Sequence, residues 1–162
     1  MQPATSYFDP PRAATIVDMR AGRVGGQPGG GVIGRHDVGI AGRDSASIGY
    51  EVLFPLGFDW VKSGKLPGIY AGSVTDFAPS RPPNGTNGAT VRPLWRPGGT
   101  VKLYVWDMRP DPAVGGYGRE FSGTGIRWPS GRWASVRLDV ALNTPGAARH
   151  APLGWKCAPP RP

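Results

Sequence analysis

Thr100-Val101-Lys102-Leu103-Tyr104-Val105-Trp106-Asp107-Met108 decides the fold. Val101, Leu103 and Val105 fall on one face of this run, and Lys102, Tyr104 and Trp106 fall on the other. That is the period of two a β-strand imposes. Arg132 to Leu142 reads the same way, with Ala134, Val136, Leu138, Val140 and Leu142 on an apolar face and Trp133, Ser135, Arg137 and Asp139 opposite. Upstream, Ile48, Tyr50, Val52 and Phe54 alternate with Gly49, Glu51 and Leu53 until Pro55 ends the run. A further strand is expected over Ala89 to Trp95, after the turn-rich stretch Arg81-Pro82-Pro83-Asn84-Gly85-Thr86-Asn87-Gly88. Pro93 has no N–H for a ladder, so it places this strand at an edge or a bulge. No window carries a helical period. The pattern predicts an all-β fold in which two sheets pack their apolar faces into a sandwich.

Outward from these strands the composition changes. Residues 1–45 are rich in Gly, Pro, Arg and Asp around Gly25-Gly26-Gln27-Pro28-Gly29-Gly30-Gly31, which reads as a flexible arm with room for a short strand near Thr15 to Met19. Residues 46–146 form the β domain. Residues 147–162, closing on Pro159-Pro160-Arg161-Pro162, are expected to be an irregular Pro-rich tail. A length of 162 residues fits one domain with a sizeable core. Gly 26 and Pro 19 approach a low-complexity share, but six Trp and five Tyr supply the burial that disordered chains lack.

The net charge of +8 selects polyanionic partners: nucleic acid, an anionic membrane or an acidic polysaccharide. Charge alone does not choose among them. The arginines are scattered and no base-reading or helix-docking motif is present, which argues against nucleic acid. No apolar run is long enough to span a membrane. Cys157 is the single cysteine, so neither an intrachain disulfide nor a thiolate zinc cluster is expected. Met1-Gln2-Pro3-Ala4-Thr5 lacks the basic and apolar regions of an export signal.

Three segments taken together resemble polysaccharide lyase family 14. The first is Tyr50-Glu51-Val52-Leu53-Phe54-Pro55 with Phe58-Asp59-Trp60-Val61-Lys62-Ser63-Gly64-Lys65-Leu66-Pro67-Gly68-Ile69-Tyr70. The second is Thr90-Val91-Arg92-Pro93-Leu94-Trp95-Arg96 with Leu103-Tyr104-Val105-Trp106. The third runs from Gly131-Arg132-Trp133 to Leu142-Asn143-Thr144-Pro145-Gly146. The Lys-Leu-Pro-Gly and Leu-Asn-Thr-Pro-Gly pieces are specific in combination. The resemblance implies a two-sheet jelly-roll whose concave sheet holds substrate, and an alginate or glucuronan lyase activity. It also implies a C-terminal continuation into further strands, in place of which this chain has its Pro-rich tail. Family substrates lie outside cells, so the resemblance implies an extracellular protein.

For the site, the resemblance implies a lysine in the Lys-Leu-Pro-Gly loop, a Ser-x-Arg pair and a Tyr-x-Tyr pair. Lys65, Arg92 and Tyr104 match. Thr90 stands at the serine and keeps a hydroxyl, whereas Trp106 stands at the second tyrosine and removes a phenol. Such lyases break the chain by β-elimination at a uronic acid, whose C5 proton is poorly acidic while the neighbouring carboxylate is charged. Cations must neutralise that carboxylate, a base must take the proton, and an acid must protonate the departing glycosidic oxygen. Tyr104 fits the base or the acid if nearby cations lower its pKa, with Lys65 and Arg92 on the carboxylate. Lys102 adds positive potential and Trp106 offers a ring for stacking on a sugar. The scheme requires no metal and no organic cofactor. A non-catalytic carbohydrate-binding sandwich, or an inactive incomplete lyase, remains the alternative, because a Lys-x-Tyr-x-Trp face by itself is also how a solvated sheet surface reads.

Overall fold

The computed structural model describes residues 16, 17, 19, 42–72, 84, 88–111, 116–142 and 155–158. The chain divides into two compact units, Met1–Gly39 and Ile40–Pro162, and every strand named below belongs to the second. The arm expected over residues 1–45 lies almost wholly outside the described residues, as do His36, His150 and the Asn143-Thr144-Pro145-Gly146 segment.

Every regular element in the described residues is a strand, save one short turn of helix at Pro97–Gly99. The strands are β1 (Ser45–Leu53), β2 (Gly64–Lys65), β3 (Ile69–Ala71), β4 (Ala89–Arg96), β5 (Thr100–Asp111), β6 (Gly116–Arg127), β7 (Trp133–Ala141) and β8 (Trp155–Ala158). One sheet has the order β1-β7-β8; the other has β2-β4-β5-β6, with β3 also on β4, and all pairings are antiparallel. The alternation read from the sequence sets the register. Ile48, Tyr50 and Val52 oppose Leu138, Val136 and Ala134, so the two apolar stripes share one side of their sheet.

That side packs on Val91, Trp95, Val101, Leu103 and Val105 of the other sheet. One cluster joins Leu138, Ile48 and Val140 to Val91, Leu103 and Val105. The other joins Tyr50, Val52, Ala134 and Val136 to Phe54, Phe58, Trp60, Trp95 and Trp128. This is the expected two-sheet sandwich. Leu138 is only 1% exposed at the centre of the first cluster. Leu138→Ala is expected to cost about 3 kcal/mol, a large part of a small domain's stability, and urea unfolding would show it as a lower midpoint at unchanged slope.

Two local expectations are corrected. Pro93 does not mark an edge, because β4 lies between β5 and the pair β2 and β3. β2 pairs with Leu94 and Trp95, and β3 with Ala89 to Val91. The missing N–H of Pro93 therefore faces the gap between them, while its carbonyl accepts the Leu66 N–H at 2.8 Å. Within the tail expected to be irregular, Trp155–Ala158 forms β8 along Ser135 to Leu138 of β7. The sequence does not announce β6 either, since Gly116, Gly118, Gly123 and Gly125 dilute its alternation.

Candidate functional site

The register of the larger sheet sets the side chains on the face opposite the sandwich core into a grid, in which Leu94, Thr90 and Trp106 are themselves buried. One row holds Lys65, Leu94, Lys102 and Ser122 on β2, β4, β5 and β6. The next holds Arg92, Tyr104 and Glu120, and a third holds Tyr70, Thr90, Trp106 and Gly118. Directly opposed residues lie about 5 Å apart at Cβ, so Lys65, Arg92, Lys102 and Tyr104 share one patch. The strand period places only Lys102, Tyr104 and Trp106 together; the pairing of β4 and β2 brings in the rest.

The Lys-Leu-Pro-Gly loop between β2 and β3 is fixed by each of its members. Leu66 is buried in the core, and the Pro67 carbonyl accepts the Tyr50 hydroxyl from the opposite sheet at 2.9 Å. Gly68 lies so close to β4 that a Cβ there would overlap the Val91 carbonyl oxygen, so only glycine permits the approach. Arg92 donates from Nε to the Leu66 carbonyl at 3.0 Å and from a terminal nitrogen to the Lys65 carbonyl at 3.3 Å. Lys65 is thereby held with its Nζ 3.9 Å above the Tyr104 ring centroid. The loop sequence thus serves to aim one ammonium at one phenol.

Electrostatics separate these two groups. Lys65 has a pKa below the usual lysine range, first because its ammonium is partly desolvated against the sheet and second because Arg92 lies close; Glu120 opposes the shift and Arg96 adds to it. Tyr104 is pushed above the usual phenol range, first by burial and then by the Glu120 carboxylate, with Arg92 acting in the opposite direction. The expected lowering of Tyr104 by nearby cations is therefore outweighed. Tyr104 is a neutral phenol at neutral pH.

The remaining expected site residues are placed differently. Thr90 is buried, and its hydroxyl donates to the Ile69 carbonyl at 3.2 Å, tying β3 to β4. Trp106 is only 7% exposed, so its ring has little surface for stacking on a sugar. Lys102 shares the patch and donates to the Ser122 hydroxyl. Three residues on β6 and β4 escape the sequence reading. Gly118 leaves the space that Tyr104 fills, since a Cβ there would overlap the phenol oxygen. Glu120 stands opposite Tyr104 and is bound two-pronged by Arg96, with Nε to Oε2 at 2.9 Å. For Gly118 and Glu120 the signal is weak, because glycines dilute the alternation of β6; for Arg96 it is the period of β4, which Arg96 shares with Arg92.

Among known families, polysaccharide lyase 14 matches residues 32–150. Among solved structures, the crystal structure of alginate lyase vAL-1 from Chlorella virus is similar, with 25% identity and a TM-score of 0.51. That match covers 62% of this chain and 44% of the viral one, so the chain accounts for less than half the length of the structure it matches. No curated protein matches the chain.

Proposed function

The chain belongs to the polysaccharide lyase 14 family, and from that premise we propose that it cleaves a uronate-containing polysaccharide by β-elimination. The observation that carries the proposal is the Lys65–Tyr104 pair, with Nζ 3.9 Å from the ring centroid and the two pKa values displaced in opposite directions. Arg92, cationic at any working pH, neutralises the carboxylate of the reacting uronate, and Lys102 adds to the potential. Lys65 in its neutral form takes the C5 proton. The C4–O4 bond breaks as the C4–C5 double bond forms, and Tyr104 gives its proton to the departing oxygen. Lys65 then holds the extra proton beside a phenolate, and proton return across the contact restores both groups. Acid and base are thus groups that their surroundings tune apart.

This differs from placing Lys65 on the carboxylate, and the two roles separate experimentally. The ultraviolet absorbance of unsaturated product is followed on alginate and on glucuronan. Its appearance is expected, with kcat/KM rising as pH passes the lowered pKa of Lys65 and falling only above the ordinary phenol range. Lys65→Arg, which keeps the charge but offers no neutral base near that pH, is expected to abolish turnover. A fully active Lys65→Arg protein would return Lys65 to carboxylate binding. A folded protein that binds either polymer yet forms no product would instead support a carbohydrate-binding sandwich, the reading that the loss of a phenol at Trp106 favours. Polymers of this class lie outside cells, and the protein is expected to act there.

A further inference from the structure

Two glycines border the site, and they are required for different reasons. A Cβ at Gly68 would strike the Val91 carbonyl oxygen and the Arg92 Cα, both of them backbone. Nothing there yields without moving β4, so Gly68 is a demand of the fold. A Cβ at Gly118 would instead overlap the phenol oxygen of Tyr104 and lie 2.5 Å from its Cε2 and 2.7 Å from its Cζ. These are the three nearest atoms, and all belong to the far end of one side chain. The Gly118 backbone lies outside the left-handed region, so its conformation does not demand glycine. What demands glycine at this position is the Tyr104 ring.

The register explains how the ring arrives there. Glu120 stands directly opposite Tyr104, and Gly118 is the next position of β6 on the same face. That diagonal is within reach of an aromatic side chain, and any side chain at 118 would occupy it. The ring is thus fixed twice. Lys65 Nζ stands 3.9 Å from its centroid, and the notch at Gly118 admits its phenol end. Carbon atoms rest about 3.5–4.0 Å apart, so a methyl group at 118 would push the ring end aside by about 1 Å. Turning about the Tyr104 side-chain bonds accommodates that, with the backbones of β5 and β6 left in place.

We infer that Gly118 is a positioning residue for the acid of the reaction: its missing side chain seats the Tyr104 phenol, and so sets where the proton donor stands relative to Lys65 and Arg92. This rests on the lyase reading and adds to it a residue that carries no functional group of its own.

The test is Gly118→Ala in the full chain, with two readouts. The first is the ultraviolet titration of Tyr104, taken as the difference between each chain and the same chain carrying Tyr104→Phe. In the parent, burial and then the Glu120 carboxylate hold this phenol above its usual range, against Arg92. Lys65 and Lys102 are the other charges on the patch, and Arg96 is bound to Glu120. In Gly118→Ala the displaced ring meets more water, and its ionisation is expected to move down toward the ordinary phenol value. The second readout is turnover, where kcat is expected to fall on the order of 10- to 100-fold with KM changed less than about twofold, the effect of a misplaced catalytic group. If either readout is unchanged, the inference is overturned: β6 has yielded in place of the ring, or the position of the ring does not matter. If Gly118→Ala does not fold by circular dichroism, combining it with Tyr104→Ala decides. A folded double variant traces the fault to the ring and sustains the inference, and an unfolded one traces it to β6 and overturns it. A parent chain that forms no product ends the lyase reading and the positioning role together, whereas a failure confined to the Gly118→Ala readouts leaves that reading intact.

Discussion

Replacing Tyr104 with phenylalanine is expected to lower kcat by about 10²–10⁴-fold, the contribution of a positioned general acid, with KM nearly unchanged. The substitution removes one oxygen and little else. The phenol hydroxyl makes no hydrogen bond among the described residues, so none is broken. The ring that lies under Lys65 remains, as does its packing over Gly118. Steady-state kinetics on uronate polymer would show the loss, and an unchanged near-ultraviolet circular dichroism spectrum would confirm that the fold is intact. An active Tyr104→Phe protein would mean that the leaving oxygen takes its proton from elsewhere, and the pairing of Lys65 with Tyr104 would lose its catalytic meaning.

Arg92→Ala is expected to do more damage by two routes at once. It removes the charge that neutralises the uronate carboxylate, a loss of about 10²–10³-fold for one well-aimed donor. It also leaves the Leu66 and Lys65 carbonyls without the guanidinium that now bridges them, so the loop that aims Lys65 is loosened. Both kcat/KM and the melting temperature should fall. Arg92→Lys should restore part of the binding through its charge but not the two-pronged hold on the loop, because an ammonium lacks the planar fork. Combining Arg92→Ala with Lys65→Ala should cost far less than the sum of the two, since both disable one unit. Full additivity would show that Arg92 and Lys65 act independently.

Much of this site is legible from the chain alone, and the exceptions share a cause. Lys102 and Tyr104 fall on one face by the strand period. Lys65, Arg92 and Thr90 come from family resemblance, and the structure gives them unequal places: Lys65 and Arg92 at the phenol, Thr90 buried in a strand-to-strand hydrogen bond. Trp106 is expected to face sugar because it alternates with buried residues, yet it is itself buried. Alternation tells which face a side chain leaves from, and not what covers it afterwards. Pro93 misleads for a similar reason. A proline excludes one ladder partner, and the sequence does not say that the neighbouring strand is broken into β2 and β3 at that very point.

By itself, then, the sequence determined β1, β4, β5 and β7, which face of each is apolar, and the basic character of the chain, because these follow from a period of two and from summed charge. Tertiary structure alone decided the register that sets Glu120 opposite Tyr104, the pairing of Arg96 with Glu120 and the burial that divides the pKa values of Lys65 and Tyr104. Those are relations between residues far apart along the chain. They depend on distances and on excluded water, and both exist only once the sheets have packed.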